Sequence, residues 1–200
     1  MAVLVGKPAP DFTVPAVLAD GRIDEAFNLA ETLAGKYGLL FFYPLDFTFV
    51  CPSELIALEH RIDAFRERDV EVIGISIDSH FSHNAWRRTP VEQGGIGPVR
   101  FTLAADITRE ITRAYDVQAE GGMALRAAFI IDRDGVVRSQ LINDLPVGRN
   151  IDELLRLVDA LQFHERRGEV CPAGWQQGEA GMTPSPQGAV DYLKKNAGKL

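Results

Sequence analysis

The segment YPLDFTFVCPSEL, residues 43–55, decides how this chain is expected to fold. The apolar run GLLFFYPL at 38–45 leads into it and is typical of a short buried strand. Cys51 follows after a loop, and Pro52 is next to it, where a proline suits the first turn of a helix because its missing N–H costs nothing there. The order of strand, loop, cysteine, proline and helix therefore places Cys51 at or beside a helix N-terminus.

Strands and helices alternate along the rest of the chain. Apolar residues at helical spacing predict one helix over 52–67, and Asn150 is expected to cap another. The other predicted strands are 70–78, 101–104 and 125–132, and the other predicted helices are 79–89 and 107–115. A DRDG turn at 132–135 predicts a hairpin after the last of these strands. The alternation indicates an α/β fold with a mixed central sheet flanked by helices.

Composition limits the classes of function. The chain has 200 residues, 46% hydrophobic and 24% charged, with a formal net charge of −7 and a pI near 5.1, which argues against nucleic-acid or anionic-membrane binding. The first residues lack the pattern of a signal peptide, and the longest apolar run is too short to cross a bilayer. We therefore expect a cytoplasmic protein. In that reducing compartment two cysteines are better explained by redox or catalytic chemistry than by a structural disulfide.

The C-terminal part of the chain differs from the rest. Residues 165–200 contain six glycines and three prolines and few apolar residues, which is typical of an extended arm without a core of its own. We predict a domain over 1–164 and an arm over 165–200. The arm carries the second cysteine, Cys171, in GEVCPAGW, and must lie on its own domain or on a neighbouring subunit.

The environment expected for Cys51 favours a thiolate. An unperturbed cysteine thiol is mostly protonated at neutral pH, but helix N-termini stabilise anions. The hydroxyl of Thr48, the guanidinium of Arg126 and the carboxylate of Glu54, which would hold that arginine, are candidates to complete the site. Each also has an ordinary explanation: a small buried side chain for Cys51, a helix cap for Thr48, a solvated strand end for Arg126 and a first-turn acid for Glu54.

Other cysteine chemistries fit the sequence less well. A dithiol oxidoreductase would need Cys-x-x-Cys, and Glu54 occupies the fourth position. Two cysteines so far apart do not indicate a zinc site, and His80 and His83 are expected to be polar surface. A Cys–His hydrolase stays open, since tertiary structure could bring a histidine to Cys51. The candidate histidines are His60, His80, His83 and His164.

The segment 43–55 resembles the active-site segment of peroxiredoxins. It contains that family's Pro-x-x-x-Thr-x-x-Cys motif as Pro44, Thr48 and Cys51. The sequence around Cys171 resembles the resolving-cysteine segment of typical two-cysteine peroxiredoxins, the group that includes alkyl hydroperoxide reductase C. The likeness covers nearly the whole chain and implies a thioredoxin-like fold with N- and C-terminal extensions.

The resemblance also implies a role for each site residue. Cys51 would be the peroxidatic cysteine, which attacks hydrogen peroxide or an organic hydroperoxide and becomes a sulfenic acid. Thr48 and Arg126 would orient the peroxide and stabilise charge, Pro44 would shield the sulfur from water, and Glu54 would position Arg126.

The second half of the reaction is implied in the same way. Cys171 from a second subunit would condense with the sulfenate to form an intersubunit disulfide. An external dithiol donor, thioredoxin or a flavoprotein reductase, would reduce it, and no cofactor is required. The resemblance implies a homodimer and leaves its assembly into a ring of five dimers open.

Two features of the sequence concern sensitivity to over-oxidation and an alternative function. Over-oxidation-sensitive relatives combine a Gly-Gly-Leu-Gly loop with a C-terminal Tyr-Phe pair; here residues 94–97 are a near match, but Tyr192 is followed by Leu193, which predicts intermediate sensitivity. A redox-switched chaperone or peroxide sensor using the same cysteines is the alternative from another functional class. A sensor reacts once with peroxide, whereas a peroxidase turns over.

Overall fold

A mixed seven-stranded sheet forms the centre of the computed structural model, which describes residues 2–199. The strands are β1 (Thr13–Val17), β2 (Ile23–Asn28), β3 (Tyr37–Phe42), β4 (Val70–Ser76), β5 (Thr102–Ala105), β6 (Arg126–Ile131) and β7 (Val137–Asn143). Their order in the sheet is β2-β1-β5-β4-β3-β6-β7. β4 pairs in parallel with both β3 and β5, and the remaining neighbours are antiparallel. The predicted mixed sheet is confirmed.

The chain divides into two compact units, Met1–Ile151 and Asp152–Leu200. The predicted boundary between 164 and 165 stays a prediction. The helices are α1 (Leu29–Leu33), α2 (Cys51–Glu59), α3 (Ile62–Glu67), α4 (His80–Arg88), α5 (Glu110–Ala114), α6 (Ile151–Arg167) and α7 (Pro186–Asn196), with 3-10 turns at Val91–Gln93 and Ala197–Lys199. The first unit contains the sheet and α1–α5; the second contains α6 from Asp152 onward, a bridge between Val170 and Met182, and α7.

Strand β3 explains how the active-site segment is placed. All of its residues are buried, as expected for an apolar run paired on both sides. Because side chains alternate across a strand, its two faces serve different purposes. Phe42 enters the main core, where its ring centroid lies 5.2 Å from that of Tyr115 and 5.7 Å from that of Phe129. Phe41 points to the opposite face, on which the site described below is built.

Some predicted elements differ from the structure. The single helix predicted over 52–67 is wrong, because α2 and α3 are separated at His60–Arg61. The backbone amide of Arg61 donates a hydrogen bond to the carbonyl of Leu58, which tightens the chain into a turn. Because the apolar residues stay on one side of this turn, the periodicity of the sequence does not reveal the break. The helix predicted over 107–115 is shorter, since Arg109 has a left-handed φ of 62° and α5 starts after it.

The C-terminal arm is not extended throughout, as α7 covers Pro186–Asn196. Ser185 accepts a hydrogen bond from the amide of Gly188, and Pro186 occupies the first turn, so the helix has a normal start signal. The high glycine and proline content of the arm concealed this local pattern. The N-terminal strands β1 and β2 also lacked a clear pattern, because β2 exposes three of its six side chains.

The buried side chain of Arg87 joins α4 to two loops through hydrogen bonds to backbone carbonyls. Arg87 donates from Nη1 to the carbonyl of Leu18, at 3.1 Å, and from Nη2 to those of Ala19 and Val99, at 2.6 and 2.8 Å. Burial lowers the pKa of Arg87, although Asp20 opposes this shift. Two of the three guanidinium nitrogens are therefore satisfied by backbone oxygens in place of a directly bonded carboxylate, while the buried Nε has no hydrogen-bond partner among residues 2–199. Loss of the side chain would leave those backbone oxygens without their donors.

We expect Arg87→Met to lower the free energy of unfolding by about 2–4 kcal/mol, because buried carbonyls lose charge-assisted hydrogen bonds. Urea unfolding followed by circular dichroism measures this change. The neighbouring Arg88 is exposed, so Arg88→Met is the matched control and should change stability by less than about 0.5 kcal/mol. Equal effects of the two substitutions would contradict the structural role of Arg87.

Candidate active site

Cys51 is the first residue of α2 and is fully buried. Val50 is in the cap position, without a side-chain cap, and Pro52 lies in the first turn, as predicted from the sequence. Glu54, Leu55 and Leu58 are buried on the same side of the helix, because residues three, four and seven positions apart share a face. The helix therefore anchors itself with apolar side chains and brings Cys51 and Glu54 to the same buried place.

Arg126 joins these two residues. It is the first residue of β6, and its Nη1 donates to Sγ of Cys51 at 3.4 Å and to Oε2 of Glu54 at 2.7 Å. Its Nε donates to the carbonyl of Leu145 at 2.6 Å, which fixes the plane of the guanidinium. The structure thus brings together Cys51, Glu54 and Arg126, three residues selected from the sequence.

Arg149 is a further member of the site that the sequence analysis missed. Its Nε and backbone amide donate to Oε1 of Glu54 at 2.9 and 2.8 Å, and its Nη2 donates to Oε2 at 3.1 Å. Nη1 donates to the carbonyl of Ala127 at 2.6 Å, and the guanidinium carbon lies 3.3 Å from the ring centroid of Phe41. One signal could have revealed it: a cation just before a helix N-terminus opposes the macrodipole and so suggests another purpose.

The charges of this cluster do not balance. Burial tends to raise the pKa of Glu54, but hydrogen bonds and charge from Arg149, with the charge of Arg126, lower it below its ordinary value. Burial lowers the pKa of Arg149, and Glu54 opposes that shift. One carboxylate between two guanidiniums leaves a net positive charge beside the sulfur of Cys51. An anion on that sulfur, or a developing oxyanion next to it, is stabilised by this arrangement.

Thr48 and Pro44 lie in the loop before Cys51. Thr48 is half-buried, and its hydroxyl donates to the carbonyl of Leu45 at 2.8 Å. Pro44 is buried. Helix α2 does not use Thr48 as its cap, because that position belongs to Val50. The peroxide-orienting role of Thr48 and the shielding role of Pro44 stay predictions.

The same loop is tied down by a buried polar network around Asp46. Nδ1 of His83 lies 2.9 Å from Oδ2 of Asp46, the hydroxyl of Tyr43 donates to Oδ1 at 2.9 Å, and that of Ser82 donates to Oδ2 at 2.7 Å. The expectation that His80 and His83 are polar surface is wrong, since they are 7% and 0% exposed. Helical spacing alone did not show that this face of α4 packs inward against the loop.

The contacts of His80, His83 and His164 do not support a Cys–His hydrolase. Nε2 of His80 lies 3.7 Å from Oε1 of Glu25. Nε2 of His83 lies 3.3 Å from the carbonyl of Ala104, and Nδ1 of His164 lies 2.8 Å from the carbonyl of Glu169. Among residues 2–199, Sγ of Cys51 accepts a side-chain hydrogen bond from Arg126 and from none of these histidines. Within residues 2–199, no group of three or more His, Cys, Asp or Glu side chains is arranged to hold a metal ion.

Cys171 belongs to the second unit. It is half-buried, its thiol donates to the carbonyl of Ala160 at 3.4 Å, and both cysteines are free thiols. Partial burial raises the pKa of Cys171, while the charge of Arg156 acts in the opposite direction. Its environment thus differs from the cation-rich surroundings of Cys51.

Comparison with known proteins decides the family. The sequence model of the AhpC/TSA family matches residues 5–140, and that of the C-terminal domain of 1-Cys peroxiredoxin matches residues 160–196. The chain belongs to the AhpC/TSA family. Although the second model is described for one-cysteine proteins, the matched region of this family member contains Cys171.

Individual relatives match over almost their entire length. Alkyl hydroperoxide reductase C of Helicobacter pylori is 54% identical over 99% of this chain and 100% of its own, and peroxiredoxin-1 of Gallus gallus is 50% identical over 96% of each. The reduced 2-Cys peroxiredoxin of Plasmodium vivax aligns with a TM-score of 0.93 and 49% identity, over 96% of this chain and 100% of that one.

These findings confirm the resemblance stated above. The fold is the thioredoxin-like fold of peroxiredoxins. As a member of the family, this chain is a thiol peroxidase, an antioxidant oxidoreductase that reduces peroxides. Along residues 2–199, no helix combines the length and the hydropathy needed to span a bilayer.

Proposed function

We propose that Cys51 is the peroxidatic cysteine and that Cys171 of a second copy of the chain resolves it. The observation that carries the first assignment is the hydrogen bond from Arg126 to a fully buried sulfur at a helix N-terminus. The second assignment is supported by the position of Cys171 in the C-terminal segment. Cys171 is half-buried and is a free thiol. The substrates are hydrogen peroxide and organic hydroperoxides.

The first half-reaction takes place at Cys51. Its thiolate attacks the terminal oxygen of the hydroperoxide, so that an S–O bond forms while the O–O bond breaks. The alkoxide or hydroxide leaves with a proton as alcohol or water, and the sulfur becomes a sulfenic acid. Arg126 stabilises the charge that develops on the oxygens, and Thr48 orients the peroxide while Pro44 shields the sulfur from bulk water.

Glu54 and Arg149 act behind these groups. Glu54 holds Arg126 in place through its Oε2, and Arg149 holds Glu54 through both carboxylate oxygens. Arg126 reaches the sulfur, so we assign it a direct role, whereas Glu54 and Arg149 are positioning residues. This assignment adds Arg149 to the residues selected from the sequence.

The second half-reaction joins two chains. The thiol of Cys171 loses its proton and attacks the sulfenic sulfur of Cys51; the S–S bond forms as the S–O bond breaks, and the departing hydroxide takes up a proton and leaves as water. An external dithiol, from thioredoxin or a flavoprotein disulfide reductase, then reduces the intersubunit disulfide.

The proposed oligomeric state is a homodimer, which could assemble further into a ring of five dimers. The proposed location is the cytoplasm. Phe49, two residues before Cys51, is 94% exposed, and Phe81 on α4 is 69% exposed. Exposed aromatic side chains of this kind favour contact with another protein surface. The reducing cytoplasm suits two free thiols that must return to the reduced state after each turnover.

Mapping of disulfides after limited oxidation tests the assignment. We expect one equivalent of hydrogen peroxide to convert the reduced protein into a covalent dimer within seconds, with Cys51 joined to Cys171 in non-reducing peptide mass spectra. A link within one chain would keep the peroxidase and overturn the exchange between subunits. Unoxidised thiols would refute the role of Cys51. Denatured protein, treated identically, is the control for the contribution of the folded site.

A further inference from the structure

Two features of the structure favour the protonated thiol of Cys171. Its Sγ donates to the carbonyl of Ala160 at 3.4 Å, and partial burial raises its pKa. Only a thiolate attacks a sulfenic acid or leaves well from a disulfide. The second half-reaction therefore needs a nearby group that favours the anion.

Arg156 is placed to be that group. It lies four residues before Ala160 on α6, hence on the same face of the helix, and its side chain is 20% exposed. Its Nη1 donates to the carbonyl of Trp175 at 3.2 Å, and Trp175 is only 2% exposed. Because Trp175 follows Cys171 closely in the chain, this bond ties the cysteine segment to the helix face that carries the positive charge. The charge of Arg156 counteracts the effect of burial on the pKa of Cys171.

Glu153 limits the effect of that charge. Its carboxylate accepts hydrogen bonds from Nε and Nη2 of Arg156 at 2.6 and 2.7 Å, one turn away on the same helix. The pairing raises the pKa of Arg156, so the guanidinium remains charged, but the carboxylate also screens it from Cys171.

We propose that Arg156 is a positioning residue of the resolving half-reaction, which orients the segment of Cys171 and favours its thiolate, with Glu153 as the group that tempers it. The inference rests on the proposed role of Cys171 as the resolving cysteine. In the step concerned, Cys171 gives up its proton, its sulfur forms the S–S bond with the sulfenic sulfur of Cys51, and the S–O bond breaks to release water.

Two substitutions separate this electrostatic role from a structural one. Both Arg156→Met and Glu153→Gln break the ion pair, so a purely structural role predicts changes in the same direction. The electrostatic role predicts opposite directions, because the first removes the cation and the second leaves the cation unscreened. Arg156→Lys keeps the charge and should preserve most of the reactivity.

The experiment uses the full chain with Cys51→Ser, in which Cys171 is the remaining cysteine. Alkylation by iodoacetamide is followed by mass spectrometry between pH 6 and 10. At pH 7.5 we expect Arg156→Met to slow alkylation about 3-fold, with its pH profile moved to higher pH, and Glu153→Gln to accelerate it about 2-fold. Arg166 is exposed on the same helix, so Arg166→Met is the control for general charge effects and should leave the rate nearly unchanged.

Changes in the same direction for both variants, or no change in either, would overturn the inference. Tryptophan emission and circular dichroism verify that each variant is folded. If Arg156→Met does not fold, Arg156→Lys and Glu153→Gln still test the inference. No peroxide enters this assay, so its outcome does not depend on the proposed peroxidase assignment. Peroxide turnover by the unaltered chain is measured separately. Its absence would contradict the peroxidase assignment without changing the alkylation result.

Discussion

Replacement of Cys51 by serine is expected to lower peroxide turnover by about 10⁴-fold or more, to the level of the uncatalysed reaction. A serine hydroxyl is not ionised by the cation-rich site and cannot accept the oxygen. The fold should be retained, because serine is close to cysteine in volume. Turnover is measured as the consumption of hydrogen peroxide in the presence of a dithiol donor, alongside a thermal melt that reports on folding.

The matched variant is Cys171→Ser, which leaves the site around Cys51 unchanged. We expect it to consume one equivalent of peroxide per chain at nearly the normal rate and then to stop with a dithiol-protein donor, because no intersubunit disulfide forms. Full turnover in Cys171→Ser would contradict the two-cysteine mechanism. A single equivalent consumed by the unaltered chain, followed by no further turnover, would instead favour the sensor. Activity that survives Cys51→Ser would refute the peroxidatic assignment.

Part of the site could be predicted from the segment 43–55, because the positions of its residues depend on local helix geometry. Cys51 and Glu54 lie one helical turn apart, so their shared face follows from helix periodicity. Arg126 was identifiable as a charged residue at the start of an apolar strand, where a partner is needed. Arg149 was not identified, because it lies outside the apolar strands and its one local signal is its position just before a helix N-terminus; its contacts with Glu54 and Ala127 join segments far apart in the chain.

The parts of the fold that escaped prediction have a related cause. β1 is short and contains Pro15, and β2 exposes three of its six side chains, so their sequences carry little alternation. His83 looks like an ordinary polar residue of an amphipathic helix, and its burial depends on Asp46 in a separate loop. Central strands such as β3, whose residues are all buried, were predicted because their environment is uniform along the strand.

The other large effect is expected from Glu54→Gln. The carboxylate of Glu54 is 2% exposed and pairs with the guanidiniums of Arg126 and Arg149, which are 5% and 0% exposed. Removal of the one anion leaves two buried cations facing each other, a change that costs about 3–5 kcal/mol in comparable buried pairs. We expect a fall of that size in the free energy of unfolding, measured by urea denaturation, and slower oxidation of Cys51. The exposed Glu67 on α3 provides the control Glu67→Gln, which should be nearly neutral.

The pH dependence of the same variant distinguishes the ion cluster from simple packing. The pKa of Glu54 is lower in the folded protein than its ordinary value, so the unfolded chain binds the proton more readily. The stabilisation is therefore complete above the ordinary glutamate range and is lost as the pH falls through the folded pKa. Glu54→Gln has no proton to bind, so the stability difference from the unaltered chain should shrink as the pH is lowered below about 4.5. A difference that stays constant from pH 7 to pH 3 would show that Glu54 stabilises the site by packing alone.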